Sequence, residues 1–338
     1  MFNIIPFPDS IPVNAGFLIL CFFIIAKTAN WLVDGAVGVA RFFKIPKVIV
    51  GIVLVSFATT MPEFTVSVLS SLIGRNKIAL GNAVGSVIAD NALALALGIL
   101  VAPTAIKIPS KLLKGIGVFL VAISFLTFGM SILGNDITRV EGTILIGLLI
   151  IYFFVLIRYQ KKHKHSILGE MSEEIEEHER PGSIGKQLFL FIIGVVGVVI
   201  SSKILIEGAV NIARIIRVPE IFIGLTVIAI GTSLPEVATC IVACKKGHGD
   251  IAFGDIIGAN ILNLLWIIGA ASLAKPIAIA RQEISFMFPF MILINLVLLL
   301  FARLDYKLTK WKGAVLLALY AVYIVLTFLF FPPGSSAP

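Results

Sequence analysis

The sequence predicts an all-α membrane protein in which ten transmembrane helices form two inverted five-helix repeats. Three observations lead to this prediction: an apolar composition, ten apolar stretches long enough to cross a bilayer, and a motif that recurs in the two halves. Of the 338 residues, 59% are hydrophobic and only 14% are charged, whereas a soluble domain carries about 25% charged residues. Most of the chain is therefore expected to contact lipid.

A helix of about 18 or more apolar residues can cross the hydrocarbon core of a bilayer. Ten stretches meet this length: 14–40, 47–73, 78–102, 112–133, 139–159, 187–213, 220–246, 250–274, 283–302 and 312–331. The one long polar segment separates five stretches from five. We therefore predict a first five-helix repeat at 1–159, a cytoplasmic loop at 160–186 and a second five-helix repeat at 187–338.

Basic residues are distributed unequally between the two sides of the predicted membrane. One set of alternate loops, which includes the central segment, contains 18 Lys and Arg residues, and the other set contains 7. Because cytoplasmic loops carry the excess of Lys and Arg, we expect a cytoplasmic central loop and extracytoplasmic termini. These short loops account for the net charge of +8, which therefore does not indicate a nucleic-acid partner. The sequence shows no obligate protein partner.

The two halves match one another without a gap when the second is laid on the first at one constant offset. Thr59, Pro62 and Glu63 coincide with Thr232, Pro235 and Glu236, and the match extends from Gly35 on Gly208 to Pro103 on Pro276. Each unit contains five helices, an odd number, so the second unit must cross the membrane in the opposite sense. Inverted repeats are typical of alternating-access transporters, whose substrates bind near the bilayer midplane.

A Pro-Glu pair lies near the middle of the second and seventh predicted helices. A carboxylate at this depth is costly unless it has a partner, and neither helix has a Lys or Arg at the same depth. A bound cation is therefore the expected counter-charge of Glu63 and Glu236. Two ionised glutamates balance one divalent ion.

Pro62 and Pro235 are expected to break these helices. Proline has no N–H, so the carbonyl four residues earlier loses its helical partner, and the bend loosens the carbonyls of Thr59 and Thr232. Hydroxyl groups stand beside them: Ser56, Thr59, Thr60, Thr232 and Ser233. This shell of hard oxygen atoms suits Ca²⁺ and does not suit a soft transition metal.

Polar side chains also occur at depth in the third and eighth predicted helices. Ser86 and Asp90 lie four residues apart and therefore on one helix face, and Ala259 and Asn263 are their repeat mates. Because Asp90 and Asn263 are both polar at depth, we assign them to the cation site.

Four short segments resemble the paired alpha repeats of the calcium/cation antiporter superfamily, most closely its sodium/calcium exchangers. They read ATTMPE (58–63) with GNAVGSVIAD (81–90), and GTSLPE (231–236) with GDIIGANILN (254–263). The resemblance covers nearly the whole chain. It implies that Ca²⁺ binds to Glu63, Glu236 and the carbonyls of Thr59 and Thr232. It implies that Na⁺ uses the same glutamates with Ser56, Thr60, Ser86, Ser233 and the carbonyl of Ala229.

The chain departs from this family at several positions. Typical members have Asn where this chain has Asp90 and Asp where it has Asn263, so the acid has changed sides. Potassium-dependent members carry an acid at the Asn263 position, and proton/calcium members carry Glu at the positions of Gly85 and Gly258. Ala259 stands where a serine hydroxyl is usual.

The resemblance implies a secondary antiporter that exchanges Na⁺ for Ca²⁺ by alternating access, with no cofactor besides the transported ions. An H⁺/Ca²⁺ antiporter, in which Asp90 carries the proton, is the alternative. A channel would need a continuous polar pore, whereas each half offers a single polar cluster. An intramembrane hydrolase would need a Ser–His or paired-Asp arrangement; we find neither, so no enzymatic activity is expected.

Access to the site is expected to alternate through motion of the first and sixth helices. Gly35 and its repeat mate Gly208 are small enough to let these helices slide against the packed central cluster.

Overall fold

The computed structural model describes residues 10–43, 45–74, 76–171, 183–215, 229–279 and 281–330. These residues form the helices α1 Ile11–Phe43, α2 Lys47–Val50, α3 Ser56–Thr59, α4 Met61–Leu72, α5 Asn76–Ala89, α6 Leu95–Val101, α7 Ser110–Gly134, α8 Arg139–Met171, α9 Ile184–Ile215, α10 Ala229–Thr232, α11 Leu234–Lys245, α12 Gly249–Leu262, α13 Ile268–Ala274, α14 Arg281–Asp305 and α15 Lys310–Phe330. Three π-helical turns join helices end to end: Gly51–Val55, Asp90–Ala94 and Asn263–Ile267. Four short strands complete the fold: β1 Ile106–Lys107, β2 Asp136–Ile137, β3 Ile277–Ala278 and β4 Lys307–Leu308.

The apolar stretches predicted from the sequence are helical where the structure describes them, apart from single-residue breaks at Thr60 and Ser233 and turns at some of their ends. Eight helices of the described residues are long and apolar enough to cross a membrane, or nine spans if the bent α2–α4 segment counts as one. Of the seventh predicted stretch, α10 and α11 are described, whereas 220–228 lies outside the described residues. The helix α8 continues past residue 159 to Met171, so the first part of the predicted loop at 160–186 is helical; residues 172–182 lie outside the described residues.

Local structure recurs with the same spacing as the sequence motif. The bounds of α4, α5 and α6 recur, at the mated positions of the second half, as those of α11, α12 and α13. The repeat mates Asp90 and Asn263 each begin a π turn. Gly74 and Gly247, also mates, both adopt a positive φ (80° and 77°) after a helix, a conformation that glycine adopts without steric cost. The repeat is therefore present in the backbone.

Two antiparallel ladders join the two halves. β1 pairs with β4, and β2 pairs with β3, so each ladder has one strand from each half. Beside them, the amide of Ile108 donates to the carbonyl of Tyr306, and the amide of Ile279 donates to that of Asn135, both at 2.8 Å. In the first of these hydrogen bonds the first half donates to the second, and in the other the second half donates to the first.

The centre of the protein is formed by the helices that carry the motifs. In the most apolar stretch of α12–α13, 83% of the residues are buried, and in that of α5–α6, 72% are buried. In α1, α8, α9 and α15 the corresponding share is 24–33%. The outer helices expose large apolar side chains such as Phe23, Leu133 and Leu329. This surface suits contact with lipid tails.

Glycines allow α12 to approach the first half closely. A Cβ atom on Gly51 would collide with the carbonyl of Ile251, and one on Gly254 would collide with the carbonyl of Val48. Since the obstacles are backbone atoms, a larger residue could be accommodated only by separating the two segments. Small residues have this role at many membrane helix contacts.

The helices α1 and α9 also pack through glycines. Gly35 of α1 faces the backbone of Phe191, and Gly194 of α9 faces the backbone of Leu32. Gly35 was expected to let α1 slide against the central cluster, but it faces the helix α9 instead. This glycine holds α1 against α9, so the two helices form one packed unit.

His248 lies in the turn between α11 and α12, where its Nδ1 atom is 3.2 Å from Nζ of Lys47. Burial, with the nearby charges of Lys47 and Arg41, lowers the pKa of His248 from 6.5 to about 4. Between these two values the unfolded chain binds a proton that the folded chain does not. Folding stability is therefore expected to decrease as pH falls through this window.

We expect His248→Gln to lose less stability than the wild type over this window. Thermal unfolding of both proteins in detergent, followed from about pH 7.5 to about pH 4, measures the difference. The two proteins should show the same pH dependence above about pH 7, where this histidine is neutral in both states. Parallel curves down to pH 4 would show that His248 is not the group responsible.

Candidate cation site

Each Pro-Glu pair lies at a helix break. In the first half, the segment ending at Thr59 and α4 are bent by 45° relative to one another. Pro62 lies in the first turn of α4, and Pro235 has the same place in α11. The two breaks, at Thr60 and Ser233, are repeat mates. Proline cannot donate a backbone hydrogen bond, so each break leaves a carbonyl available at depth.

The glutamates next to these prolines are buried, and three of their four carboxyl oxygens have no hydrogen-bond donor among the described residues. Glu63 and Glu236 are each 1% exposed. Both carboxyl oxygens of Glu63, and Oε2 of Glu236, accept no hydrogen bond from the described residues. Burying a polar atom in this way is costly unless another partner binds it. These oxygens are therefore the strongest candidates for cation ligands.

Two aspartates bring the number of buried carboxyl groups in this region to four. Asp90 is 1% exposed and Asp255 is fully buried. Both interact electrostatically with Glu236, and Asp90 also interacts with Glu63. Within the described chain, Oδ1 of Asp90 and Oδ2 of Asp255 have no donor. Carboxyl groups gathered in one low-dielectric region produce a field that attracts cations.

The repeat mates Asp90 and Asn263 meet at the site. Nδ2 of Asn263 lies 3.4 Å from Oδ2 of Asp90, to which it donates. Ser233 lies beside them, and its hydroxyl donates to that of Ser86 at 3.4 Å. The structure thus brings together four predicted site residues that lie in three motif segments, one in the first half of the chain and two in the second.

The remaining predicted residues lie around the two breaks. The hydroxyls of Thr59 and Thr60 are near the carboxyl group of Glu236, in the opposite half. The hydroxyl of Ser56 donates to the Ile52 carbonyl at 2.5 Å. Ala229 begins α10. The hydroxyl residues of the predicted set are all buried: Ser56, Thr59, Thr60, Ser86, Thr232 and Ser233.

Carboxylates alone do not complete a metal shell here. In the described parts of the chain, no three His, Cys, Asp or Glu side chains converge closely enough to hold one metal ion. Ca²⁺ takes about 6–8 oxygen ligands. Carbonyls at the helix breaks and hydroxyl groups would have to supply part of the shell of a bound Ca²⁺ ion.

Asn82 and Asp255 were not selected from the sequence, yet both contact predicted site residues. The Thr59 hydroxyl donates to Oδ1 of Asp255 at 3.2 Å, and the Thr232 hydroxyl donates to Oδ1 of Asn82 at 3.0 Å. A signal for Asp255 was present, because an acid at depth in the eighth predicted helix is as rare as Asp90 in the third.

An aromatic residue supports the first break from the side. The ring of Trp266, in the third π turn, stacks on Phe57 before the break and on Phe64 after it, with centroid distances of 4.5 and 4.1 Å. Stacked aromatic pairs stabilise beyond the area that they bury. Trp266 therefore holds the bend that presents Glu63.

Comparison with known proteins identifies the family of this chain. A family model described as sodium/calcium exchanger protein matches residues 13–158 and 186–329. The chain is 27% identical to the sodium/calcium exchanger MaX1 of Methanosarcina acetivorans, over 94% of this chain and 99% of that protein. It is 30% identical to the inner membrane protein YrbG of Escherichia coli, over 88% and 90% of the two chains.

A similar structure has also been solved. The sodium-calcium exchanger NCX_Mj, soaked with Na⁺ and Sr²⁺, superposes with a TM-score of 0.78 and 27% sequence identity, over 94% of this chain and 99% of that one. The matches extend over both halves and include both Pro-Glu breaks. The chain is thus a multi-pass integral membrane protein and belongs to the sodium/calcium exchanger family, a family of membrane antiporters.

Proposed function

We propose that this protein exchanges Na⁺ for Ca²⁺ by alternating access, with the ions held at mid-membrane between the two Pro-Glu breaks. The observation that carries this proposal is the pair Glu63 and Glu236, buried at mated positions, with three of their four carboxyl oxygens lacking donors among the described residues. Two carboxylates can neutralise one Ca²⁺ or a group of Na⁺ ions. Since each set of ions repels the other, the site exchanges them.

The ligand set follows the resemblance and the positions described above. Ca²⁺ binds the two glutamates and the carbonyls of Thr59 and Thr232. Na⁺ uses the same glutamates and the surrounding oxygen atoms of Ser56, Thr60, Ser86, Ser233 and Ala229. Asp90 and Asn263 complete the cluster from the π turns. The names of the relatives MaX1 and NCX_Mj support Na⁺ as the coupling ion.

The architecture that serves this function is two inverted repeats of five helices, at 1–159 and 187–338, joined by a cytoplasmic loop at 160–186, with extracytoplasmic termini. The recurrence of helix bounds at mated positions of the two halves and the ladders that pair one half with the other support this arrangement. The packed pair α1 and α9 would move as a unit against the buried centre to open the site to each side in turn.

An H⁺/Ca²⁺ antiporter is the alternative, and it is favoured by the Oδ1 atom of Asp90, which has no donor within the described parts of the chain. The packing at Gly258 favours Na⁺. A Cβ atom there would lie 2.5 Å from both the Ile52 carbonyl and the Ser56 hydroxyl. The glutamate that proton/calcium exchangers carry at this position could not be accommodated without displacing Ser56.

Ca²⁺ uptake into vesicles containing the purified protein tests this proposal. We expect uptake when an outward Na⁺ gradient is imposed at equal pH on both sides. We expect none when a pH gradient is imposed without Na⁺. Uptake driven by the pH gradient alone would contradict Na⁺ coupling and support the proton-coupled alternative.

Exchanging the two π-turn residues should preserve function. In Asp90→Asn combined with Asn263→Asp, the amide and the carboxylate change places, so their contact and the total charge are retained. We therefore expect Na⁺-driven Ca²⁺ uptake to remain within a few-fold of the wild type, and to exceed that of Asp90→Asn alone. If the double variant were as inactive as a variant lacking Glu63, the two positions would not be equivalent.

A further inference from the structure

The threonines at the two helix breaks each bond to a side chain of the opposite half. Thr59 contacts Asp255 at 3.2 Å, and Thr232 contacts Asn82 at 3.0 Å. All four side chains are buried. The two threonines are repeat mates, as are Asn82 and Asp255, so the same contact is made twice in crossed fashion.

Asn82 connects this contact to the first glutamate. Its Nδ2 atom donates to the carbonyl of Glu63 at 3.2 Å and to the hydroxyl of Ser67 at 3.0 Å. An asparagine side chain has two donor hydrogens and one acceptor oxygen, and these partners fix which end faces Thr232. One side chain therefore links the Pro-Glu turn of the first half to the break of the second.

Asp255 makes the equivalent contact with fewer hydrogen bonds than Asn82. Its Oδ1 atom accepts from Thr59, while Oδ2 is buried without a donor in the described chain. The repeat mate of Ser67 is Cys240, a poorer hydrogen-bonding partner. Asp255 thus contacts the break of the first half through one hydrogen-bonded oxygen atom, whereas Asn82 uses both its oxygen and its nitrogen.

The hydroxyl of Thr59 has alternative hydrogen-bond acceptors within its own helix. Its hydroxyl lies 3.2 Å from the carbonyl of Val55 and 3.3 Å from that of Ser56, and a hydroxyl group has one hydrogen to donate. If Asp255 lost its acceptor, Thr59 would remain satisfied within its own helix. Little folding stability would be lost, whereas the connection across the site would be lost entirely.

We propose that Asn82 and Asp255 are positioning residues of the cation site, each of which fixes the threonine of the opposite half through a side-chain oxygen and so sets the separation of the two Pro-Glu breaks. This proposal rests on the proposed function, because it assumes that the breaks bind Ca²⁺. It assigns importance to the acceptor oxygen of Asp255 and not to its charge.

Equilibrium Ca²⁺ binding to the purified protein tests the proposal independently of the coupling ion. Asp255→Asn keeps an acceptor oxygen and should bind Ca²⁺ within about 2-fold of the wild type, whereas Asp255→Leu should bind roughly 5- to 10-fold more weakly, as for loss of one buried hydrogen bond. Asp255→Ala serves as a second variant without an acceptor. Unfolding temperatures without Ca²⁺ should change little in all three.

A double-mutant cycle distinguishes positioning from a general packing defect. Thr59→Val removes the hydroxyl and keeps the backbone carbonyl, so Thr59→Val with Asp255→Leu should be no weaker than either single variant. Thr232→Val with Asp255→Leu, which combines the two different contacts, should show additive losses. Asn82→Leu with Thr232→Val, which removes both side chains of one contact, should likewise be no weaker than either single variant.

Additive losses in the Thr59–Asp255 pair, or an Asp255→Asn variant as weak as Asp255→Leu, would overturn the proposal. A wild-type protein that bound Ca²⁺ but took it up without Na⁺ would overturn only the proposed Na⁺ coupling, and the cycle would still report on positioning. A wild-type protein that bound no Ca²⁺ would overturn both.

Discussion

Replacing either buried glutamate by glutamine is expected to abolish Ca²⁺ exchange while the protein remains folded. In Glu63→Gln or Glu236→Gln, only one of the two glutamate charges remains to bind a divalent ion, and the amide nitrogen cannot act as a ligand. The uncomplexed protein should unfold at the same or a higher temperature than the wild type, because a buried carboxylate without a donor is replaced by a neutral group. Ca²⁺ uptake into vesicles and the unfolding temperature with and without Ca²⁺ measure both effects.

The rise in unfolding temperature that Ca²⁺ causes in the wild type should disappear in both variants, since only a ligand that binds the folded state stabilises it. Glu141→Gln is the matched control. Glu141 accepts from the amide of Thr138 at 2.7 Å at the start of α8, a capping role that glutamine also fills. Near-normal Ca²⁺ uptake by Glu63→Gln or Glu236→Gln would contradict the proposed cation site.

Ca²⁺ binding is expected to weaken steeply as Na⁺ rises. Both ions need Glu63 and Glu236, and linked binding is reciprocal, so each must lower the affinity for the other. If two Na⁺ ions displace one Ca²⁺, a tenfold rise in Na⁺ raises the apparent Kd for Ca²⁺ about 100-fold. Equilibrium titrations of the purified protein with Ca²⁺ at fixed Na⁺ concentrations measure this dependence.

The titrations should span about 1–150 mM Na⁺, with ionic strength held constant by a large organic cation so that screening does not change. Replacing Na⁺ by K⁺ provides a second control, which should leave Ca²⁺ binding unchanged because Asn263 is not an acid. Ca²⁺ binding that is indifferent to Na⁺ over this range would refute the shared site and favour the proton-coupled alternative.

The amino-acid sequence was sufficient to predict properties that depend on position along one helix. The thickness of a bilayer sets the length of each span, so the apolar stretches could be located without their neighbours. The cost of a charge at mid-membrane singled out Glu63, Glu236 and Asp90. The prolines Pro62 and Pro235 predicted the helix breaks close to them, because proline lacks the N–H that a helix requires.

The tertiary structure decided which helix faces meet. Depth in the membrane does not tell which neighbour a side chain reaches, so the sequence did not show that Thr59 bonds to Asp255 in the opposite half. For the same reason Asn82 and Asp255 were not identified from the sequence, and the contact of Gly35 with the backbone of Phe191 was not foreseen. The structure also shows which oxygens of the buried carboxyl groups lack a donor among the described residues, and so which are available to a cation. The separation and orientation of the two halves, which determine what the site can bind, are set by contacts between residues far apart in the chain.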